Sequence, residues 1–160
     1  MEKYLKITSL LILASLLFLS CGFKKINHKD NKLIYIRDIN LIGNSKIAYN
    51  LKNNILLISN KDAKYKYDVD IKLEKKKITK IKNKKGKITR YTISISLDLQ
   101  LINLDNVNNK INKTFIQSAD YDVASMHSDT IVNEKNVTKN ITQQLSSEII
   151  NFITMTMKNQ

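Results

Sequence analysis

The 160-residue chain has no proline, no tryptophan, three glycines and one cysteine. Without proline there is no polyproline segment and no stiff proline-rich linker. None of Gly22, Gly43 and Gly86 lies in a loop that would cradle a phosphate. One cysteine leaves no partner for an internal disulfide. The two histidines, His28 and His127, have no metal-ligand spacing around them, and no serine sits in a nucleophile elbow. With no converging titratable groups, the chain reads as a non-enzyme without metal or cofactor. Lysine, asparagine and isoleucine are abundant, as AT-rich coding favours. Clusters of lysine are therefore more informative than their total.

Long hydrophobic runs are missing too. The most apolar stretch, 14 residues from Ile7 to Ser20, is shorter than the ~20 residues that cross a bilayer. It follows the basic start Lys3 and Lys6 and ends at Leu19-Ser20-Cys21-Gly22, the layout of an export signal. Those four residues resemble a bacterial lipobox, which implies cleavage before Cys21 and acylation of its thiol and new amino group. Residues 1–20 are then a lipoprotein signal peptide. Several acyl chains at ~0.8 kcal/mol per buried methylene would hold the protein on a membrane. By the sorting rule for such lipoproteins, Gly22 after the cysteine points to the periplasmic face of the outer membrane.

Losing the leader removes Lys3, Lys6 and Glu2, so the net charge of +13 falls by only one. Such a surface seeks polyanions, and export makes nucleic acid the poorest candidate. Residues 21–32 are polar, lack apolar periodicity and read as a tether. Residues 33–160 are then a single domain.

Leu33 to Ile39 is β-rich and predicts a first strand. Gly43 supplies a turn, Asn44 or Ser45 an N-cap, and Ile47, Ala48, Leu51, Ile55 and Ile58 the apolar stripe of a helix over 45–59. Tyr65, Tyr67, Val69, Ile71 and Leu73 alternate with polar residues, and so do Tyr91, Ile93, Ile95, Leu97, Leu99 and Leu101. Both patterns are those of strands covered on one side. Between them a lysine-rich segment predicts a projecting hairpin that turns at Gly86 and carries a bulge where the apolar phase shifts. Phe115 to Val123 predicts a fourth strand. The stretch Met126-His-Ser128-Asp129 offers caps for a long closing helix with Ile131, Val137, Ile141, Leu145, Ile149 and Phe152 on its apolar side. The expected fold class is α+β: a two-layer sandwich of order β-α-β-β-β-α, with two amphipathic helices on one face of a four-stranded, mostly antiparallel sheet.

The carboxylate pairs Asp68/Asp70 and Asp120/Asp122 share strand faces. They suit a cation or simply the wet side of a sheet.

The lipobox, this element order, and the segment Ala119 to Ser125 leading into a helix with Asn136, Gln143 and Gln144 together resemble the LptE family of lipopolysaccharide-assembly lipoproteins. The resemblance implies a non-enzymatic plug inside an LptD-like outer-membrane β-barrel, which it helps to assemble, and binding of lipopolysaccharide. The cationic group Lys75, Lys76, Lys77, Lys80, Lys82, Lys84, Lys85, Lys87 and Arg90 is then the candidate contact for lipid phosphates. Three other readings stay open: for the cluster, a solvated hairpin whose charge blocks edge-to-edge aggregation, and for the protein, an auxiliary lipoprotein of an envelope lipid transporter or a free-standing anion-binding lipoprotein.

Mass spectrometry of the mature protein is expected to find Cys21 as the acylated first residue. A free thiol there would remove the anchor.

Overall fold

The computed structural model describes residues 34–159. The expected leader, the expected acylation site at Cys21 and the expected tether lie outside them. The chain runs β1 (Ile34–Gly43), α1 (Ser45–Leu56), β2 (Tyr65–Lys82), β3 (Ile88–Asn103), β4 (Lys110–Asp122) and α2 (His127–Lys158). The strands form one sheet in the order β1-β2-β3-β4.

The order matches the sequence expectation, but the sheet is mixed rather than mostly antiparallel. β2 pairs antiparallel with β3 and β3 with β4, whereas β1 pairs parallel with β2. The cause is α1: a helix between two neighbouring strands returns the chain to the end where it started, so the second strand must run the same way as the first. The register of β1 also slips between Ile36 and Ile39, which explains why its alternation is poor.

The side chains of one sheet face, with both helices, form the core. Tyr67, Val69, Ile71 and Leu73 of β2 lie in register with Leu101, Leu99 and Leu97 of β3 or beside them, and all are buried. Over them sit Ile47, Leu51 and Ile55 of α1 and Ile141, Leu145, Ile149, Ile153 and Met157 of α2. The buried part of α2 is therefore shifted toward its C-terminus relative to expectation, and Ile131 is 40% exposed. Each fully buried side chain of this kind contributes roughly 1.5–3 kcal/mol.

Where the helices meet, Thr142 and Ser146 donate their hydroxyls to the carbonyls of Thr138 and Thr142 at 2.8 and 2.9 Å. Asn54 Nδ2 then donates to Ser146 Oγ at 2.9 Å, so the Ser146 hydroxyl both donates and accepts at the contact.

Local signals explain the ends of the helices. Asn44 caps α1, its side-chain oxygen accepting from the Ile47 amide at 3.3 Å. The helix stops at Leu56, short of Ile58, which is buried from the segment that follows. α2 does not use Ser128 or Asp129 as a cap. Its N-cap position is Met126, and Thr130 stitches the entry by accepting from the Ala124 amide at 3.0 Å and donating to the Met126 carbonyl at 3.4 Å.

Gly43 has φ +127°, and a Cβ there would lie 2.0 Å from the Leu73 carbonyl oxygen of the paired strand. Neither the conformation nor the backbone contact tolerates a side chain. Gly43→Ala is expected to lower stability by about 2–3 kcal/mol, measured by urea unfolding. Gly86→Ala, at φ +76° with open space around it, is expected to cost less. Equal effects would contradict the role given to the Leu73 contact.

Candidate functional site: a basic arm and its clamp

The fourth strand of the sheet, β4, ends its pairing where Asp122 faces Arg90. Beyond that point β2 and β3 continue as a two-stranded arm. Its ladder is broken between Thr79 and Ile81 and again between Ile81 and Lys82, where the phase shift in the sequence predicts a bulge. From Lys76 to Lys87 every residue is exposed, including Ile78 and Ile81.

The tip is organised by one residue. The Asn83 amide donates to the Lys87 carbonyl at 2.8 Å and the Asn83 carbonyl accepts from the Gly86 amide at 2.9 Å. Asn83 Oδ1 accepts from the amides of Lys85 and Lys87 at 3.0 Å each. Gly86 takes the positive φ that closes the turn.

The nine cationic residues do not form one group. Lys75 and Lys77 keep the inward phase of Leu73, but at their level the core gives way to Glu134 of α2. Lys75 Nζ lies 3.1 Å from one carboxylate oxygen and Lys77 Nζ 2.7 Å from the other. Tyr121 Oη donates to the same carboxylate at 2.9 Å. Lys77 Nζ also stands 4.4 Å from the Tyr91 ring centre, and Tyr91 stacks on Tyr121 at 5.6 Å. The hydrogen bond from Lys77, with help from Lys75 and Tyr121, pulls the Glu134 carboxyl down to about 2 against the penalty of burial. The same bond raises the Lys77 ammonium above its ordinary range. Burial pushes the Tyr121 phenol up.

On the outer face, Lys76 meets Glu74 at 3.2 Å, Lys80 meets Asp120, and Arg90 Nε meets Asp122 at 2.6 Å. Asp120 is held below the usual carboxylate range by Lys80 and by the Thr92 hydroxyl. Asp68 is bound by Arg37. Three of the four carboxylates that the sequence offers as a cation pair are thus partners of basic side chains, which favours the wet-face reading. Among the described residues, no group of three or more His, Cys, Asp or Glu could hold a metal ion.

Five of the nine cations are paired in this way. Lys82, Lys84, Lys85 and Lys87, all at the tip, make no ion pair with a described residue. At the base of the arm a cleft of about 680 Å³ opens between the helices, lined by Lys46, Lys75, Glu134, Lys135 and Lys139. Thr138 also lines it, with its hydroxyl oxygen buried and unbonded. The sequence reading missed Glu134 and Asn83. The signal for Glu134 is its place one heptad before Ile141 on the inward stripe. That for Asn83 is an Asn three residues ahead of a Gly.

No protein-family model and no curated protein matches the chain. Solved structures do. Rare lipoprotein B from Shewanella oneidensis superposes with a TM-score of 0.53 at 10% identity, covering 76% of this chain and 97% of that one. A minor lipoprotein from Acinetobacter baumannii gives 0.55 at 14%, covering 78% and 92%. A lipoprotein B from Nitrosomonas europaea gives 0.54 at 15%, covering 86% and 93%. The chain has the fold of these bacterial lipoproteins. Among the described residues no helix is long and apolar enough to cross a membrane.

The clamp makes stability depend on acid. Because the Glu134 carboxyl is lower in the folded chain than in the unfolded one, its contribution is complete above about pH 4.5 and is lost as pH falls toward 2. Glu134→Gln is expected to cost about 1–2 kcal/mol at pH 7 and to flatten the fall between those pH values in urea titrations. A wild-type slope in the variant would show that the carboxylate is not coupled to folding.

Proposed function

We infer that this is a non-enzymatic, lipid-anchored lipoprotein of the outer membrane's periplasmic face. It plugs and helps to assemble the β-barrel that translocates lipopolysaccharide, and it binds lipopolysaccharide through the tip of its basic arm. Three things support the reading: the lipobox at Cys21, the resemblance to LptE in its C-terminal segment, and the fold shared with rare lipoprotein B, which is LptE. The observation that carries the binding part is the sorting of charge. Lysines neutralised in place have little left to offer an anion, whereas Lys82, Lys84, Lys85 and Lys87 are displayed on or beside an ordered turn and make no ion pair with a described residue.

The chemistry is that of point charges meeting phosphate oxygens. Lysine ammonium groups on flexible stems suit clustered phosphates without fixing one geometry. Partial screening at physiological salt, with a Debye length of about 8 Å, means that several lysines must act together. The acyl anchor would keep the tip within reach of its ligand without a high intrinsic affinity.

Changing Lys82, Lys84 and Lys87 together to Glu is expected to weaken lipopolysaccharide binding at least about tenfold at low salt and to reduce the salt dependence. Changing Lys76 and Lys80 to Glu, whose charges are already matched, should weaken it much less. Isothermal titration across salt concentrations checks both. Unchanged affinity and salt slope in the tip variant would remove the phosphate role and leave the hairpin as a solvated arm.

A further inference from the structure

The two edges of the sheet are treated differently. Outward groups of β1 from Ile34 to Ile39 are already used: the Asn60 amide donates to the Ile34 carbonyl at 2.9 Å, and Ser59 Oγ accepts from the Ile36 amide at 2.9 Å. Asp38 Oδ1 accepts from the Ile39 amide at 2.8 Å, Lys52 Nζ donates to the Ile39 carbonyl at 3.3 Å, and the register slips between them. Bulges and covering segments of this kind prevent a further strand from adding.

β4 has none of these devices. Its register with β3 is unbroken from Lys110 to Asp122. The bonds that flank the ladder, Asn103 amide to Asn109 carbonyl at 3.2 Å and Val123 amide to Thr89 carbonyl at 2.9 Å, fix its phase. The odd-numbered residues turn their backbone groups to β3, so the even-numbered ones turn theirs outward. Among the described residues these outward groups have no hydrogen-bond partner from Lys110 to Asp120. At the far end the Asp122 carbonyl accepts from Asn133 Nδ2 at 3.2 Å. The even-numbered side chains are exposed apart from half-buried Asp120, and Ile116 at the centre is 64% exposed.

We propose that this edge pairs with the same strand of a second copy, antiparallel about a two-fold axis through Ile116. The sequence of the strand is complementary to itself in that arrangement. With full overlap Lys110 faces Asp122 of the other copy, Asn112 faces Asp120, Thr114 faces Ser118, and Ile116 faces its equivalent. On the helix-covered side Lys113 falls opposite Ala119, whose small side chain leaves room for the lysine stem. Every facing pair on the outer side is even with even, so the residues brought together are, Asp122 apart, those whose outward backbone groups have no partner among the described residues. Parallel pairing would set lysine beside lysine and aspartate beside aspartate. The product is one continuous eight-stranded sheet whose ends are the two β1 edges, each covered from Ile34 to Ile39. Neither lipopolysaccharide nor a barrel enters this argument, so it stands or falls apart from the functional reading above.

The test uses the full mature lipoprotein in detergent. Facing residues of a hydrogen-bonded antiparallel pair have Cα atoms about 5.5 Å apart, within disulfide range. Thr114→Cys with Ser118→Cys should therefore oxidise to a dimer in which mass spectrometry maps a 114–118 link between chains. Thr114→Cys alone should not cross-link, since the two copies of that residue are about 13 Å apart along the strands. Lys110→Glu should raise the Kd of self-association about tenfold by facing Asp122 with a like charge, and adding Asp122→Lys should restore it. Ile116→Pro removes an amide that points off the sheet and should abolish association while the fold survives. A wild-type protein that stays a single chain at about 100 μM overturns the proposal. So does a dimer that ignores Lys110→Glu and forms no 114–118 link, or a β4 edge that accepts only a strand from another protein.

Discussion

The structure depends on one sheet face being buried and on what happens where that burial ends. Two helices cover the inward side of β2 and β3, and the inward phase set by Tyr67, Val69, Ile71 and Leu73 runs on into Lys75 and Lys77. A strand cannot turn two side chains outward without slipping register, so both ammonium groups are delivered under the edge of α2. Glu134 meets them there. One carboxylate receives two ammonium groups and a phenol, which is more than a solvent-exposed pair of the usual kind provides. The clamp ends the core and starts the arm.

Past the clamp the same alternation serves a different purpose. With β4 finished at Asp122, β2 and β3 lose their third strand, and a two-stranded ribbon gains little from hydrophobic burial. Ion pairs at Lys80 and Arg90 tie the base of the ribbon to β4, and Asn83 builds the turn from within. Of the arm's own positive charge, the part that forms no ion pair with a described residue is therefore the part at its tip. That separation of a neutralised base from a charged tip gives the arm a direction.

Much of this was legible in the residues. Strict alternation marked β2 and β3, the glycine and lysines marked the hairpin, and Asn44 marked the start of α1. The parallel pairing of β1 was not, because periodicity reports which face of a strand is buried and says nothing of its neighbour or direction. The slip at Arg37 and Asp38 also blurred the only pattern β1 had. The division of the lysines was half visible: Lys75 and Lys77 share the parity of Leu73, but their partner lies 59 and 57 positions away on another element. Thr130 in place of Ser128 at the entry to α2 was hidden for a simpler reason. Several hydroxyl and carboxylate residues stand within one turn, and only the backbone path decides which of them reaches an amide.

A shared fold at 10–15% identity carries architecture and not partners. On that architecture the described residues of this chain carry an arm with a paired base and a charged tip. Affinity purification of the intact lipoprotein from native membranes tests that account most directly. A large outer-membrane β-barrel recovered in equal amount is the predicted result. An inner-membrane transporter in its place, or no stoichiometric partner at all, would contradict it.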